Sequence, residues 1–383
     1  MTKRICVPLL ALAAIGLFTG GRALAETAVD LRGGLGYDSN VFELSPGIGE
    51  RDGFYTELEA SVEATGKAAG GWTKRADIGV SGQLFESAVN DGDRGRFYVR
   101  ARGESAEKYG EHGWEWSLRY QMRDQTYVSR LTGLVATDAV GNEIDDRYDS
   151  GLGELQAQWR LPGKAFGRLS LDAAVSDRNY RQDYGQFGLD RLDYFQYGIG
   201  PGYEIGEGDD QFRVRLMAEE RAYRDRRTSD AAGNPVAGTD LEYRYYSAEV
   251  RLRHRFDGRS AVSLTGGYEI REDNGVGFAD RTEWHAGVEW SWRLSRDSRL
   301  RLEGEYSSRV FDGQVVGDPT INDESPEKKG FDARIQYSRP FPFLDIRGLS
   351  LVAEGRWESF DNSSDARYAY DRVIGFLGVR QDF

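Results

Sequence analysis

The feature that most constrains the fold is a strict alternation of apolar and polar residues, which begins near residue 27 and continues to the end of the chain. Trp114 and Trp116, for example, alternate with Glu115 and Ser117. Successive side chains of a β-strand point to opposite faces, so a period of two indicates strands with one apolar and one polar face. No stretch shows a competing helical period of 3.6. The sequence therefore predicts an all-β fold.

The alternation divides into about 16 predicted strands, with about 14–18 compatible with the pattern because strand ends are the least defined part of it. Their lengths suit tilted membrane strands, which need about 9–11 residues to cross the hydrocarbon region. The predicted strands are 27–37, 53–66, 72–87, 96–106, 114–126, 149–161, 167–178, 192–205, 211–222, 242–256, 260–271, 281–294, 299–311, 330–338, 348–360 and 368–383.

The connections between these strands alternate between long and short. Residues 127–148 and 223–241 are long connections, whereas 257–259 and 295–298 are short. Outer-membrane barrels combine long extracellular loops with short periplasmic turns, whereas a soluble β-sandwich explains the alternation but not this asymmetry. We therefore predict a transmembrane antiparallel up-and-down β-barrel. Long connections after the odd-numbered strands predict that both termini are periplasmic.

Composition agrees with this fold and disfavours other classes. The chain has 383 residues, which is enough for two ordinary domains or one large β architecture. Its mean hydropathy of −0.61 is that of a soluble protein, but only alternate residues of a barrel strand face lipid. The net charge of −13 disfavours a nucleic-acid partner.

Residues 1–25 have the three parts of a secretory signal peptide. Lys3 and Arg4 form a positive segment, an apolar run follows, and Ala23, Leu24 and Ala25 form a small-residue cleavage site with Ala25 as the last residue removed. A retained N-terminal anchor helix is the alternative. Cleavage leaves residues 26–383 as one barrel domain and removes the single cysteine, so that neither a disulfide nor a cysteine metal site is expected.

The last predicted strand ends on an aromatic residue, Phe383, which shares a face with apolar residues, although Gln381 interrupts that face. A terminal aromatic on an alternating strand resembles the recognition signal of Gram-negative outer-membrane β-barrels. The resemblance implies an outer-membrane location. It also implies three partners, which are outer-membrane lipid, lipopolysaccharide and the barrel-assembly machinery, with Phe383 as the assembly signal.

A second resemblance lies just after the first strand. The segment is similar to one near the start of porin-like and exopolysaccharide-export barrels, and of the barrel portion of surface lipoprotein assembly modifiers. The chain departs from the modifiers because no periplasmic helical repeat domain is expected before the first strand. The similar residues are Tyr37, Asp38, Ser39, Asn40, Val41 and Phe42.

The same segment predicts a mouth loop. Asp38, Ser39 and Asn40 are residues whose side chains bond to nearby backbone and turn the chain. Val41 and Phe42 follow where a surface loop would be polar, so they need cover. We expect loop 38–52 to fold against the barrel mouth or into it, either to seal the first strand or to contact a passing ligand.

A 16-stranded barrel is wide enough for an aqueous lumen, and the polar face of the strands is rich in arginine and carboxylates. The simplest interpretation is a solvated, ion-paired wall. The alternative is a selectivity path, in which a basic strip and an opposing acidic wall draw ions through the lumen. The basic strip comprises Arg213, Arg215, Arg251, Arg253 and Arg271, and the acidic wall comprises Glu57, Glu59 and Glu63.

These features predict a pore for polar or charged solutes, with saccharides as candidates because four inward tyrosines offer faces for sugar rings. An export pore for surface polysaccharide or protein, working with periplasmic partners, is the alternative. A barrel-rim hydrolase and a surface adhesin belong to other classes. No catalytic residue, cofactor or metal is predicted, because no nucleotide or metal motif occurs, and the oligomeric state stays open. The tyrosines are Tyr55, Tyr98, Tyr194 and Tyr245.

Overall fold

The computed structural model is a closed β-barrel. It describes residues 26–67, 71–105, 112–125, 128, 134–135, 149–163, 167–180, 192–206, 209–224, 226–312, 327–341, 346, 348–363 and 368–383. The predicted signal peptide lies outside these residues, so its cleavage stays a prediction. Within the described residues, no helix is long and apolar enough to cross a membrane.

Within the described residues, sixteen strands account for almost all of the regular structure, and their bounds differ from the predicted ones by at most three residues. A short 3₁₀ turn, Asn90–Gly92, follows the third strand. The strands are β1 (Glu26–Asp38), β2 (Gly53–Lys67), β3 (Thr73–Phe85), β4 (Arg94–Glu104), β5 (Gly113–Gln125), β6 (Ser150–Arg160), β7 (Arg168–Tyr180), β8 (Tyr194–Ile205), β9 (Asp210–Tyr223), β10 (Glu242–Arg255), β11 (Ser260–Asp273), β12 (Arg281–Arg293), β13 (Arg299–Phe311), β14 (Glu327–Pro340), β15 (Leu349–Asn362) and β16 (Tyr370–Asp382).

Each strand pairs with its neighbours in sequence, and β1 pairs with β16 to close the sheet. All the pairs are antiparallel, and the closing seam runs from Asp30 opposite Asp382 to Asp38 opposite Ile374. Closure satisfies the backbone hydrogen bonds of what would otherwise be two edge strands. The predicted up-and-down barrel is confirmed.

The two ends of the barrel differ in the connections they carry. We call the end with the connections β1–β2, β3–β4 and so on the loop end, where the connections include 126–149 and 224–241. The opposite end, which we call the turn end, carries the two chain termini of the barrel and connections as short as 256–259 and 294–298.

The register assigns one set of side chains to the outside of the barrel and the other to the lumen. Leu35 pairs with Leu377 on the outer face, and the adjacent pair, Gly36 and Phe376, faces inward. Apolar residues on the outer face are uncovered: Leu35 is 67% exposed and Leu377 is 59% exposed. A contiguous apolar surface of this kind marks a lipid or protein contact in a folded chain.

Large aromatic side chains lie on the same outer face. Trp114 pairs directly with Trp159 across the β5–β6 ladder, and their rings stack with centroids 5.6 Å apart. Trp284, Trp292 and Trp357 are also at least two-fifths exposed. Amphipathic rings of this type favour the interface between hydrocarbon and water.

Candidate functional site

The mouth of the barrel, where the chain leaves β1, is held by a network of buried hydrogen bonds and ion pairs. Ser39 continues the β1–β16 ladder beyond the end of β1: its N–H donates to the Val373 carbonyl at 2.9 Å, and the Val373 N–H donates to Ser39 Oγ at 2.8 Å. The mouth loop, residues 38–52, therefore begins on the closing seam itself.

Asn40 is the centre of the turn that follows, and none of its surface is exposed. Its Nδ2 donates to the carbonyls of Leu44 at 2.7 Å and Asp371 at 3.2 Å, while its Oδ1 accepts from the Leu44 N–H at 2.8 Å. The Asn40 N–H donates to Asp38 Oδ1 at 3.0 Å. These bonds use both ends of the amide and tie the loop to β16.

A buried arginine of β16 completes this turn. Arg372 Nε donates to Asp38 Oδ1 at 2.9 Å, and its Nη1 donates to Glu43 at 3.2 Å and to Glu358 of β15 at 3.3 Å. Asp38 and Arg372 are both almost completely buried. One guanidinium thus joins β1, the mouth loop, β15 and β16, and the buried charges compensate one another.

The apolar residues of the mouth loop pack into the largest buried cluster among the described residues. Val41 and Leu44 are each 1% exposed and contact a cluster that includes Tyr55, Phe85 and Phe376 from the inner wall. The loop therefore folds into the mouth rather than away from it. Its sequence signal was the apolar pair directly after three turn residues.

A second connection reaches the same cluster. Val128, from the connection after β5, is buried in it, and Val135 packs against it and forms an antiparallel bridge to Val128. Residues 129–133 and 136–148 lie outside the described residues. With Val89 from the β3–β4 connection, the cluster gathers three loop-end connections against the wall formed by β2, β3, β15 and β16.

The predicted acidic wall lies on the lumen side of β2, as the alternation requires. Glu57 contacts Arg32 at 3.1 Å and accepts a hydrogen bond from Gln83 at 2.8 Å, and Glu63 contacts Arg75 at 3.2 Å. Among the described residues, Glu59 forms no ion pair. Two of the three predicted carboxylates are thus neutralised by neighbouring arginines.

The predicted basic strip also faces the lumen, but most of it is engaged. Arg213 and Arg215 of β9 both approach the buried Asp172, at 3.5 and 3.7 Å. Arg271 Nε donates to the Ala279 carbonyl at 2.9 Å. Arg251 pairs directly with Arg213 across the ladder. Within the described residues, neither Arg251 nor Arg253 forms an ion pair.

Three of the four inward tyrosines have arginines over their rings. The Arg100 guanidinium lies 4.5 Å from the Tyr98 centroid, and Arg221 lies 4.3 Å from Tyr194 and 5.0 Å from Tyr245. Tyr55 instead packs against Phe85, with centroids 5.2 Å apart. A sugar ring that stacked on these faces would have to compete with cation–π contacts.

Sequence reasoning missed a second basic surface, which lies on β4 and β5. Arg96 pairs directly with Arg123, and Arg100 pairs directly with Arg119. We call these four residues the arginine ladder. Each had an inward side chain by alternation, but only the register shows that they form opposed pairs.

A contrasting surface covers β14, β15, β16 and β1. Here every inward arginine in the middle of the wall has a carboxylate partner: Arg32 and Arg334 contact Glu354, each at 2.9 Å, and Arg356 contacts Asp332 at 2.6 Å. With Arg372 at its loop end, we call this surface the paired wall.

Phe383, the residue predicted to be the assembly signal, lies at the turn end of the closing seam. Phe383 donates its N–H to the Val29 carbonyl at 2.9 Å, which extends the closing seam by one residue beyond β16. Its ring is 69% exposed on the outer face. The signal role itself stays a prediction.

Beyond the loop end of β9, residues 226–241 include a turn stabilised by its own side chains. Asp230 Oδ1 accepts from the N–H groups of Asn234 and Ala232, both at 2.9 Å. These hydrogen bonds, led by that from Asn234, lower the pKa of the Asp230 carboxyl. Across the described part of the chain, no group of three or more His, Cys, Asp or Glu residues is arranged to hold a metal ion.

Comparison with known proteins gives structural neighbours only. No protein family and no curated protein matches the sequence. Among solved structures, the chain is similar to an anion-selective porin from Comamonas acidovorans, with 11% identity, a TM-score of 0.45, and coverage of 94% of this chain and 100% of the porin. It is also similar to OccAB3 of Acinetobacter baumannii, with 10% identity, a TM-score of 0.47, and coverage of 94% and 99%.

A third similar structure is OccK9 of Pseudomonas aeruginosa, with 11% identity, a TM-score of 0.46, and coverage of 94% of this chain and 99% of that one. Because the identities and TM-scores are low, we base the function of this chain on its own residues.

Proposed function

We propose that this protein is an outer-membrane pore of a Gram-negative bacterium, through which small polar or charged solutes diffuse. The observation that carries the proposal is the opposition between the two faces of one closed sheet. The outer face exposes large apolar residues such as Leu35 and Leu377, whereas the inner face carries arginines and carboxylates.

The outer face favours a membrane over water. Apolar surface in water costs about 25 cal/mol per Å² relative to an apolar surrounding, so a belt of uncovered leucine, valine and isoleucine side chains around the barrel needs lipid contact. A closed barrel is also the only sheet that leaves no backbone group unsatisfied in hydrocarbon. The predicted signal peptide and Phe383 fit export and assembly into the outer membrane, with periplasmic termini.

The inner face favours a wet path rather than a packed interior. Charged side chains on the wall are far more stable in contact with water than in an apolar core. Exposed arginines such as Arg100 and Arg123, together with Glu59, make charged solutes better candidates than neutral sugars. Arginines lie over three of the four inward tyrosines, and Tyr55 is buried against Phe85. Saccharides stay a candidate through hydrogen bonding to the charged wall rather than through stacking.

Planar-bilayer recording of the purified, refolded protein tests this proposal. We expect discrete conductance steps in potassium chloride, and none from a heat-denatured sample of the same preparation. Heat-modifiable mobility on a gel would show in parallel that the barrel has folded. A folded barrel that inserts without conductance would contradict the pore and favour a plugged adhesin or a rim enzyme.

A further inference from the structure

We propose that the arginine ladder on β4 and β5 is a binding site for small anions that carry carboxylate or phosphate oxygens. This inference rests on the proposed pore, because the solute must reach the lumen. It assigns to these four residues a role that the predicted basic strip on β9–β11 does not fill.

The upper pair of the ladder has no carboxylate on either side. Arg96 lies directly opposite Arg123, and the next residues along the same row are Ser81 of β3 and Ser150 of β6. The row therefore reads hydroxyl, guanidinium, guanidinium, hydroxyl. Among the described residues, neither Arg96 nor Arg123 has a carboxylate within 4.0 Å. The two serines are neutral, and all four of these side chains can donate hydrogen bonds to an anion. The nearest carboxylate along the row is Glu59 of β2, on the far side of Ser81.

The lower pair is only weakly neutralised. Arg100 lies directly opposite Arg119, and its carboxylate neighbour Asp77 is 3.8 Å away. Glu154, which is opposite Arg119 on β6, accepts a hydrogen bond from Gln156 at 2.5 Å and forms no ion pair within the described part of the chain. The lower pair is thus flanked by two carboxylates that do not fully engage it.

Between the two pairs, Tyr98 and Gln121 hold the guanidiniums in place. The Tyr98 ring lies 5.2 Å from the Arg96 guanidinium carbon and 4.5 Å from that of Arg100. Gln121, which is buried and directly opposite Tyr98, accepts a hydrogen bond from Arg119. These contacts reduce the freedom of the long side chains before any solute arrives, which lowers the entropy cost of binding.

Opposed like charges are unfavourable in a sheet, and directly opposite side chains begin about 5 Å apart at Cβ. An oxyanion placed between two guanidiniums would remove that repulsion and form charge-assisted hydrogen bonds with both planar forks. The paired wall shows the alternative solution. Arg334 and Arg356 are also directly opposite each other, but Glu354 and Asp332 neutralise them.

The position of the ladder suits a path through the lumen. Arg94, at the loop end of β4, donates from Nη2 to the Val41 carbonyl of the mouth loop at 2.9 Å. The upper pair therefore lies just below the mouth cluster, and the lower pair lies four residues deeper, about 13 Å along the strand at about 3.3 Å per residue. A small anion that passes the mouth loop meets the upper pair first and the lower pair next.

The test is block of the chloride current by inorganic phosphate and by succinate, measured in planar bilayers at constant ionic strength. The natural protein should show concentration-dependent block by both. Arg96→Gln/Arg123→Gln should raise the half-blocking concentration at least about tenfold, because two charge-assisted contacts are lost and about 1.4 kcal/mol corresponds to a factor of ten. The matched control, Arg334→Gln/Arg356→Gln, removes the same charge from the paired wall and should change it less than about threefold.

Equal half-blocking concentrations in the two double variants, or absence of block in the natural protein, would overturn the site. A second measurement separates this outcome from failure of the pore. Phosphate at fixed ionic strength should raise the thermal unfolding temperature of the detergent-folded natural protein but not that of Arg96→Gln/Arg123→Gln. A barrel that conducts nothing but shows this difference in unfolding temperature would refute the pore and retain the site.

The Arg96→Lys/Arg123→Lys variant replaces the glutamine variant if the glutamine variant does not fold. It keeps both charges and should show a half-blocking concentration between those of the natural protein and the glutamine variant.

Discussion

The arginine ladder and the paired wall both bring like-charged arginines together on the lumen face, and they differ in whether carboxylates neutralise them. Both present arginines to the lumen at alternate positions of neighbouring strands, and both contain a directly opposed pair, Arg96 with Arg123 and Arg334 with Arg356. In the paired wall, carboxylates neutralise the charges, whereas the upper pair of the ladder has only serine neighbours in its row. Alternating arginines are therefore not by themselves a sign of an ion path.

The two surfaces also differ in what they hold together. The paired wall contains the closing seam between β1 and β16, and its arginines join strands that are distant in sequence. The ladder lies on two consecutive strands, which local chain connectivity already keeps together. We infer that carboxylates accumulate where ion pairs contribute to closure, and that the ladder is left available for solute.

The largest expected effect on stability comes from removing Arg372, the most buried arginine of the paired wall. Arg372→Met should destabilise the folded barrel by about 3–5 kcal/mol, because it leaves Asp38, Glu43 and Glu358 without their common partner. The measurement is the urea midpoint of the heat-modifiable gel band. Arg380→Met, on the same strand but half exposed, should cost no more than about 1 kcal/mol. Equal losses in the two variants would contradict a special role for the buried pair.

A smaller effect is expected where the mouth loop is anchored to the paired wall. Asn40→Ala removes three hydrogen bonds of a fully buried side chain and should cost about 1–3 kcal/mol, read from the same urea midpoint. The freed loop should also increase open-channel current noise. Asn234→Ala, in an exposed connection, is the matched control and should leave both quantities unchanged. An Asn40→Ala variant with an unchanged urea midpoint and unchanged current noise would show that the loop does not depend on this side chain.

The smallest expected effect is a change in folding stability that has opposite signs in the arginine ladder and in the paired wall. Arg96→Gln removes a like-charge opposition and should raise stability by about 0.2–1 kcal/mol, whereas Arg356→Gln removes an ion pair and should lower it by a similar amount. Both are measured by urea titration of the detergent-folded barrel. A loss of stability in both variants would mean that the ladder is neutralised in the folded protein after all.

Much of the barrel could be predicted because its signal repeats at every second residue. The bounds of β13 agree with the predicted 299–311, and the lumen side of Glu57 and Arg213 followed from alternation. The burial of Val41 and Phe42 could also be inferred, because an apolar pair after three turn residues has no favourable place in water.

The ion pairs could not be predicted in the same way. Alternation states which face a side chain occupies but not which residue on the next strand lies opposite it. The basic strip was therefore placed on β9–β11, where Arg213 and Arg215 in fact share Asp172. The opposed arginines of β4 and β5 could not be predicted, because the sequence of one strand does not determine its register with the next strand.

The sequence by itself determined the class of fold, the strand number and the two faces, because each depends on a local period that any one strand displays. Only the tertiary structure decided which charges meet. Closure brings Asp38 to Arg372 from the two ends of the chain, and register leaves Arg96 and Arg123 facing each other with serines on either side. Coulomb interactions depend on distance in space, and in a barrel that distance is set by register and closure rather than by position along the chain.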